Sequence, residues 1–169
     1  MIIRQEKASE FPRIYELIKI AFQTAKVANG QEQDYANSLR ISGNYIPDLA
    51  LVAEEDGKLV GHIMLTKTFI ERNTSKFEAL LLAPLSVTIE YRKRGIGSQL
   101  VMKSLELAKK HEYAAVFVVG DPAFYGRFGF KSSVFFGVKH TPPIPDQYVM
   151  VHELFACALS KTAGTVNFT

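Results

Sequence analysis

Cysteine occurs once among the 169 residues, at Cys157. That excludes an internal disulfide framework and every multi-cysteine zinc or iron–sulfur pattern, and it fits a reducing cytoplasm. Charge of one sign is equally scarce: 20 Lys and Arg against 17 Asp and Glu leave a net charge of +3, too mild to draw nucleic acid by bulk electrostatics. No RNP-like aromatic pattern accompanies the basic residues, which speaks against an RNA-binding α/β domain. Long hydrophobic runs are missing too. Residues 79–83 and 114–119 fall far short of the roughly 18 to 20 apolar residues that cross a bilayer. The N-terminus turns charged at Arg4, which leaves no signal-peptide core. The expectation is a cytoplasmic protein with neither a membrane nor a nucleic-acid partner. In that setting Asn73-Thr74-Ser75 and Asn167-Phe168-Thr169 read as chance glycosylation triplets. No repeat, low-complexity tract or linker divides the chain, so a single domain over residues 1–169 is expected.

What is present is the make-up of a soluble globular chain, with 47% apolar and 22% charged residues and a mean hydropathy of +0.04. Ile2-Ile3-Arg4 reads as a short strand. Ser9, Glu10 and Pro12 read as the start of a helix with Ile14, Leu17, Ile18 and Phe22 on one face. Asn29-Gly30 breaks that helix, and Tyr35, Leu39 and Ile41 suggest a second one before Gly43. Asp56-Gly57 between residues 49–55 and 58–65 signals a hairpin, because both turn positions need positive φ. Residues 79–89 predict a strand buried on both faces, 98–110 an amphipathic helix, and 114–119 another buried strand. Gly120-Asp121-Pro122 follows, then a short helix around Phe124-Tyr125, a turn at Phe128-Gly129-Phe130, and a last strand over 147–159. This alternation predicts a mixed α/β sheet.

The most informative stretch is Leu85-Ser86-Val87-Thr88-Ile89-Glu90-Tyr91-Arg92-Lys93-Arg94-Gly95-Ile96-Gly97-Ser98: a buried strand, a basic glycine-containing turn and a helix start. The first amides of a helix lack intrahelical acceptors and sit at the positive end of its dipole, and Gly95 and Gly97 let an anion approach the backbone. Arg92, Lys93 and Arg94 add charge. The plain alternative is a strand–helix turn carrying a solvated basic cluster. Two familiar phosphate motifs fail: there is no G-x-x-x-x-G-K-[ST], and the run from Gly95 ends in Leu100 where a dinucleotide fingerprint needs Gly or Ala.

The stretch does contain R-x-x-G-x-G, and there it closely resembles the acetyl-coenzyme A signature of the GNAT superfamily of N-acetyltransferases. Tyr125-Gly126-Arg127-Phe128-Gly129-Phe130 is similar to the Y-x-x-x-G-F that follows in that superfamily, with a helix and a strand between the two motifs. The order of elements resembles the family over nearly the whole chain. Departures are Ile89 where many relatives have Pro, Lys93 where many have Gly, and Gly120-Asp121-Pro122 in place of an Asn after the fifth strand. By the resemblance, the last departure puts in question an Asn contact to the pantetheine arm. The combination of Gly-Asp-Pro, Tyr and Phe-Gly-Phe resembles one bacterial single-domain subgroup.

The resemblance implies a mixed, mostly antiparallel central sheet with helices on both faces and a splayed gap between the fourth and fifth strands. It implies acetyl-coenzyme A as cosubstrate without a metal, and an unidentified primary amine on a small molecule or protein as acceptor; homodimer formation stays open. Pyrophosphate would rest on the turn formed by Arg92, Lys93, Arg94, Gly95, Ile96, Gly97 and Ser98. Main-chain groups of Leu85, Ser86 and Val87 would pair with pantetheine, one of them polarising the thioester carbonyl. Tyr125 would protonate the departing thiolate. The alternative for Tyr125 is an aromatic packed beneath its loop, and the alternative for the chain is a non-catalytic acyl-coenzyme A-binding domain. A general base stays open among Glu32, Asp34, Glu78 and Glu90, each more commonly a solvated carboxylate. His62, His111, His140 and His152 lack metal-ligand spacing. Cys157, in an apolar run, is expected to be a small buried hydrophobe. No Gly-x-Ser-x-Gly elbow is present.

Overall fold

Thirteen segments with strand or helix patterning appear in a computed structural model that describes residues 1–168. In chain order they are β1 (Ile2–Gln5), α1 (Phe11–Phe22), α2 (Glu32–Ile41), β2 (Ala50–Glu55), β3 (Lys58–Arg72), β4 (Ser75–Val87), α3 (Ile96–Lys110), β5 (Ala115–Val119), α4 (Pro122–Tyr125), β6 (Lys131–Ser132), β7 (Val138–His140), β8 (Val149–Glu153) and β9 (Gly164–Val166). The strands form a mixed, mostly antiparallel sheet, with β4–β5 and β7–β9 as parallel pairs. Internal contacts divide the chain into two compact units, residues 1–66 with 83–104, and residues 67–82 with 105 onward.

In the first unit the Asp56-Gly57 turn has φ of +50° and +76°, and it joins β2 to β3 with Glu55 opposite Lys58, as the dipeptide predicts. Val52 pairs with His62 and Ala53 with Gly61, so the two pairs point to opposite faces. On the Val52 face, α1 and α2 close a cluster of Ile14, Ile18, Ala36 and Val52, flanked by Phe11, Phe22 and Leu59. The apolar face expected for α2 is displaced: Gln33 and Ala36 turn inward while Ile41 stays 90% exposed. The small Ala36 is the residue that meets α1. On the other face lies α3. A Cβ at Gly61 would stand 2.9 Å from Leu100 Cδ1 and 3.2 Å from Ile96 Cγ2, so α3 lies this close to β3 only because residue 61 has no side chain. Helices thus cover both faces of the sheet in this unit.

In the second unit, residues that carry no legible strand pattern extend β3 and open β4 across a tight turn at Asn73, φ +54°. The β4–β5 ladder consists of Leu80 opposite Val116 and Leu81 opposite Phe117. β4 continues past it through Pro84, which has no N–H to donate. β5 pairs with β8 along its whole length, and Val116, Phe117, Val149 and Val151 are fully buried there. The expected last strand over 147–159 is shorter. It stops at Glu153, whose carboxylate accepts from the Leu159 N–H at 2.9 Å and folds the following residues into turns. Cys157 is exposed in a left-handed conformation, φ +59°, not buried as its apolar neighbours suggest. β9 then returns to β3, with Val166 opposite Ile70.

Candidate active site

β4 delivers Leu85, Ser86 and Val87 to its C-terminal end, with Ser86 only 3% exposed and its two neighbours partly exposed. The Thr88 N–H closes back onto Val60 O at 2.9 Å, and a 3₁₀ turn at Ile89–Tyr91 follows. Lys93 and Gly95 then adopt left-handed φ of +61° and +78°. Gly95 O accepts the first helical bond, from Gln99 N–H at 3.0 Å. Ile96, Gly97 and Ser98 occupy the first turn of α3, where the helix supplies no acceptor of its own for their amides. Left-handed residues followed at once by a helix start form the backbone concavity that binds anions. Lys93 carries a side chain at positive φ, a conformation that glycine would adopt without strain.

The three cations of the turn differ in what they do. Arg92 is committed to protein oxygens: NH2 donates to Ala21 O at 2.7 Å, NH1 to Thr24 Oγ1 at 2.7 Å and Nε to Val87 O at 3.2 Å. It therefore ties the turn to the C-terminal end of α1 and to the end of β4. Lys93 and Arg94 are exposed, and the Arg94 guanidinium lies over the Tyr91 ring at 4.7 Å. Ser86 Oγ and Thr88 Oγ1 are buried without a protein partner.

Residues 85–98 are thus brought together in the first unit. Tyr125 belongs to the second, at the end of α4. Asp121 caps that helix, its carboxylate accepting from Ala123 N–H at 2.9 Å. The Tyr125 ring is edge-on to Phe124 at 4.9 Å and to Phe130 at 5.5 Å. Burial pushes the phenol pKa up, which keeps it protonated at neutral pH. No hydrogen bond to a described residue occupies the hydroxyl. Phe130 is buried and contacts the His152 ring at 5.5 Å. Gly129 has φ +90°, and a Cβ there would meet His152 Nδ1 at 3.0 Å. Phe124, Phe128 and Phe130 pack around this turn.

The carboxylates considered as bases are spread apart. Glu78 is exposed and pairs with Lys67 at 3.7 Å, and Glu90 is exposed. Asp34 accepts from Tyr15 OH at 2.9 Å. Glu32 accepts from Asn29 N–H at 2.7 Å through Oε1, while its Oε2 is buried without a partner. A buried ionic cluster escaped the sequence reading. Glu6 receives Arg40 at 2.8 and 2.9 Å, Tyr45 OH at 2.7 Å and His62 Nε2 at 2.9 Å. Burial alone would raise the Glu6 pKa, but the hydrogen bonds from Arg40, His62 and Tyr45 outweigh it and hold it at about 2. Burial pushes His62 down. With Nε2 donating to Glu6, Nδ1 is left without a partner. Glu6 lies in the connection after β1, Arg40 on α2 and His62 on β3, and positions so far apart in sequence carry no motif. Among the described residues no group of three or more His, Cys, Asp or Glu could hold a metal, and no helix is long and apolar enough to cross a membrane.

Residues 2–132 match the family description "Acetyltransferase (GNAT) domain". The chain is 30% identical to the uncharacterized N-acetyltransferase YhbS of Escherichia coli K12, covering 99% of this chain and 96% of that protein. It is 32% identical to the uncharacterized N-acetyltransferase YjhQ of the same organism over 75% of this chain and 70% of that one. The crystal structure of Escherichia coli YhbS in complex with CoA superposes with a TM-score of 0.89 at 29% identity, covering 99% and 89% of the two chains. A Brucella melitensis GNAT acetyltransferase, solved with acetyl-CoA, shares the fold with a TM-score of 0.81 at 24% identity, over 99% and 95% of the chains.

Proposed function

The chain belongs to the GNAT acetyltransferase family, and from that premise we propose that it is one catalytic domain over residues 1–169 which moves an acetyl group from acetyl-coenzyme A to a primary amine. The observation that carries this reading is the turn of left-handed Lys93 and Gly95 at the start of α3. The likeness to a relative solved with CoA supports it. The pyrophosphate rests on the amides of Gly95, Ile96, Gly97 and Ser98, with Lys93 and Arg94 supplying exposed charge. Arg92 holds the turn in place through its bonds to α1 and β4. Main-chain groups of Leu85, Ser86 and Val87 pair with the pantetheine arm. One of their amides polarises the thioester carbonyl, a role commonly worth roughly 3 to 4 kcal/mol.

The reaction is direct. A free alkyl amine has a pKa of about 10, so it gives up a proton to water or a base before attack. Its nitrogen then bonds to the carbonyl carbon to give a tetrahedral oxyanion with a cationic nitrogen, that nitrogen loses its second proton to water or a base, and the oxyanion collapses as the C–S bond breaks, leaving a neutral amide. Tyr125 gives its phenolic proton to the departing sulfur and is reprotonated from solvent. The hydroxyl has no competing acceptor among the described residues, which leaves it able to donate; burial raises its pKa and weakens it as an acid, so the transfer depends on negative charge developing at the sulfur beside it. Cys157 is exposed in a turn, remote in character from an activated nucleophile, so no acetyl-enzyme is required. Titration of coenzyme A into wild type and Gly97→Val tests the placement, since a branched side chain in the first turn obstructs the phosphate and weakens binding strongly. Unchanged affinity refutes it. Thiol release from acetyl-coenzyme A across amines, polyamines, aminoglycosides and peptides identifies the acceptor.

A further inference from the structure

β5 ends at Val119, and Gly120 follows with its N–H donating to Tyr148 O at 3.0 Å. Asp121 O then accepts from both Phe124 N–H and Tyr125 N–H, at 3.0 and 2.9 Å. This single helical turn folds the Tyr125 ring back over residue 120. A Cβ built on Gly120 would stand 2.7 Å from Tyr125 Cδ2, closer still to Cε2, and 3.5 Å from Cζ. The ring therefore occupies the space a side chain would take. Gly120 is not among the residues with positive φ, so backbone conformation does not demand glycine here. Clearance for the ring does. Gly120 forms the floor beneath the ring, Phe124 and Phe130 form its walls, and Asp121 fixes the turn that carries it.

We propose that Gly120 is a positioning residue, whose missing side chain lets the Tyr125 ring lie on the backbone and so sets where the phenolic hydroxyl is presented to the coenzyme A sulfur. This rests on Tyr125 being the donor to that sulfur. The seat is selective in a defined way: it fixes an aromatic ring at 125 by excluding even a methyl group at 120. Loss of the seat misplaces the hydroxyl without touching the groups that hold pyrophosphate or pantetheine.

The test uses coenzyme A and desulfo-coenzyme A, which differ only at the sulfur, titrated calorimetrically at pH 9 into wild type, Gly120→Ala, Tyr125→Phe and the double variant. Wild type is expected to prefer coenzyme A by roughly ten-fold, as one charge-assisted hydrogen bond to the thiolate supplies. Tyr125→Phe removes that preference, Gly120→Ala removes it equally while leaving desulfo-coenzyme A affinity within about three-fold, and the double variant loses nothing further. If Tyr125→Phe abolishes the preference and Gly120→Ala keeps it, or weakens both ligands alike, Gly120 has no positioning role. If Tyr125→Phe keeps the preference, the donor reading itself fails. Thermal melting checks the contact independently of ligand: Gly120→Ala lowers Tm with Tyr or Phe at 125, and lowers it far less beside Tyr125→Ala. Equal losses with and without the ring overturn the inference, and that comparison stands even if Gly120→Ala alone is too unstable to titrate.

Discussion

Replacing Arg92 with Ala separates two roles that a basic turn residue can play, clamp or ligand. In the structure its guanidinium makes three hydrogen bonds to protein oxygens, two of them at 2.7 Å. Hydrogen bonds with a charged partner contribute roughly 1.5 to 3 kcal/mol each when buried. Arg92 is only half-buried, and the orphaned carbonyls can regain water, so a total loss of about 2 to 4 kcal/mol is expected. At roughly 2 to 4 °C per kcal/mol for a chain of this size, Tm should fall by about 4 to 16 °C. Coenzyme A affinity should fall by less than about ten-fold at saturating folded protein, because the amides of the α3 first turn remain. Gly95→Val, by contrast, forces a branched residue to φ +78° and distorts the concavity itself, and should weaken coenzyme A more than Arg92→Ala does. Differential scanning calorimetry and isothermal titration on the same preparations read both numbers. An unchanged Tm in Arg92→Ala, together with a hundred-fold or greater loss of coenzyme A affinity, would show Arg92 to be a direct phosphate ligand and refute the clamp.

Tyr125→Phe should lower kcat by about 10²- to 10⁴-fold with little change in acetyl-coenzyme A affinity; pre-steady-state thiol release measures it even where product release is slow, and normal turnover with a lowered Tm would make the ring structural. Acidification should destabilise the protein in two stages. The His62 pKa is lowered by burial, so below roughly 6.5 the unfolded chain takes up a proton that the native state refuses, and Glu6, held at about 2, adds a further loss as pH falls from about 4.3 towards 2. In His62→Gln the decline of Tm between pH 7 and 5 should flatten, and a slope equal to that of wild type counts against the assignment. Gly61→Val should cost several kcal/mol through overlap with Leu100 and Ile96, read as a lowered urea midpoint; an unchanged midpoint would mean α3 can retreat freely. Cys157→Ala should keep full activity, and mass spectrometry finding a kinetically competent acetyl group on Cys157 would replace direct transfer by a covalent route.

Local chemistry was legible wherever a residue type has one conformational use. Asp56-Gly57 specified its hairpin because two successive positive φ angles fit few other dipeptides, and both angles are present. The spacing of Ile14, Leu17 and Ile18 specified the buried face of α1. The failures have equally local causes. Residues 66–70 do alternate in burial, but the inward positions include Thr66 and Thr68 and the outward ones include Phe69, so polarity does not track the period, and the hairpin tip at residues 71–76 is exposed. The run 147–159 looks like one strand by composition, yet its partner β5 begins at Ala115, opposite Glu153, so the ladder has nothing to pair with much beyond it, and the Glu153 carboxylate takes up the Leu159 amide instead. The apolar spacing of Tyr35, Leu39 and Ile41 marks the helix but not its buried face, which carries Gln33 and Ala36, the small Ala36 packing into the cluster with Ile14 and Ile18.

For the candidate site the division is between backbone and side chain. Gly95 and Gly97 are legible as places where an anion can approach the backbone, but the left-handed φ at Gly95 and at Lys93 is not, because the conformation of a single residue, above all one with a Cβ, is invisible until φ is known. Arg92, Lys93 and Arg94 read alike as three charges in a row. Only the geometry separates a guanidinium saturated by Ala21, Thr24 and Val87 from two cations exposed to solvent. The Y-x-x-x-G-F motif singles out Tyr125, but the reason its ring can lie where it does belongs to Gly120, five residues earlier, which the motif does not name. A sequence shows that glycine is present. It does not show whether the glycine is there for a φ angle, as at Gly95, for a helix packed against a strand, as at Gly61, or for an aromatic ring, as at Gly120. These three uses predict different consequences of adding one methyl group: a strained turn and weak coenzyme binding at 95, an unstable first unit at 61, and a misplaced hydroxyl at 120.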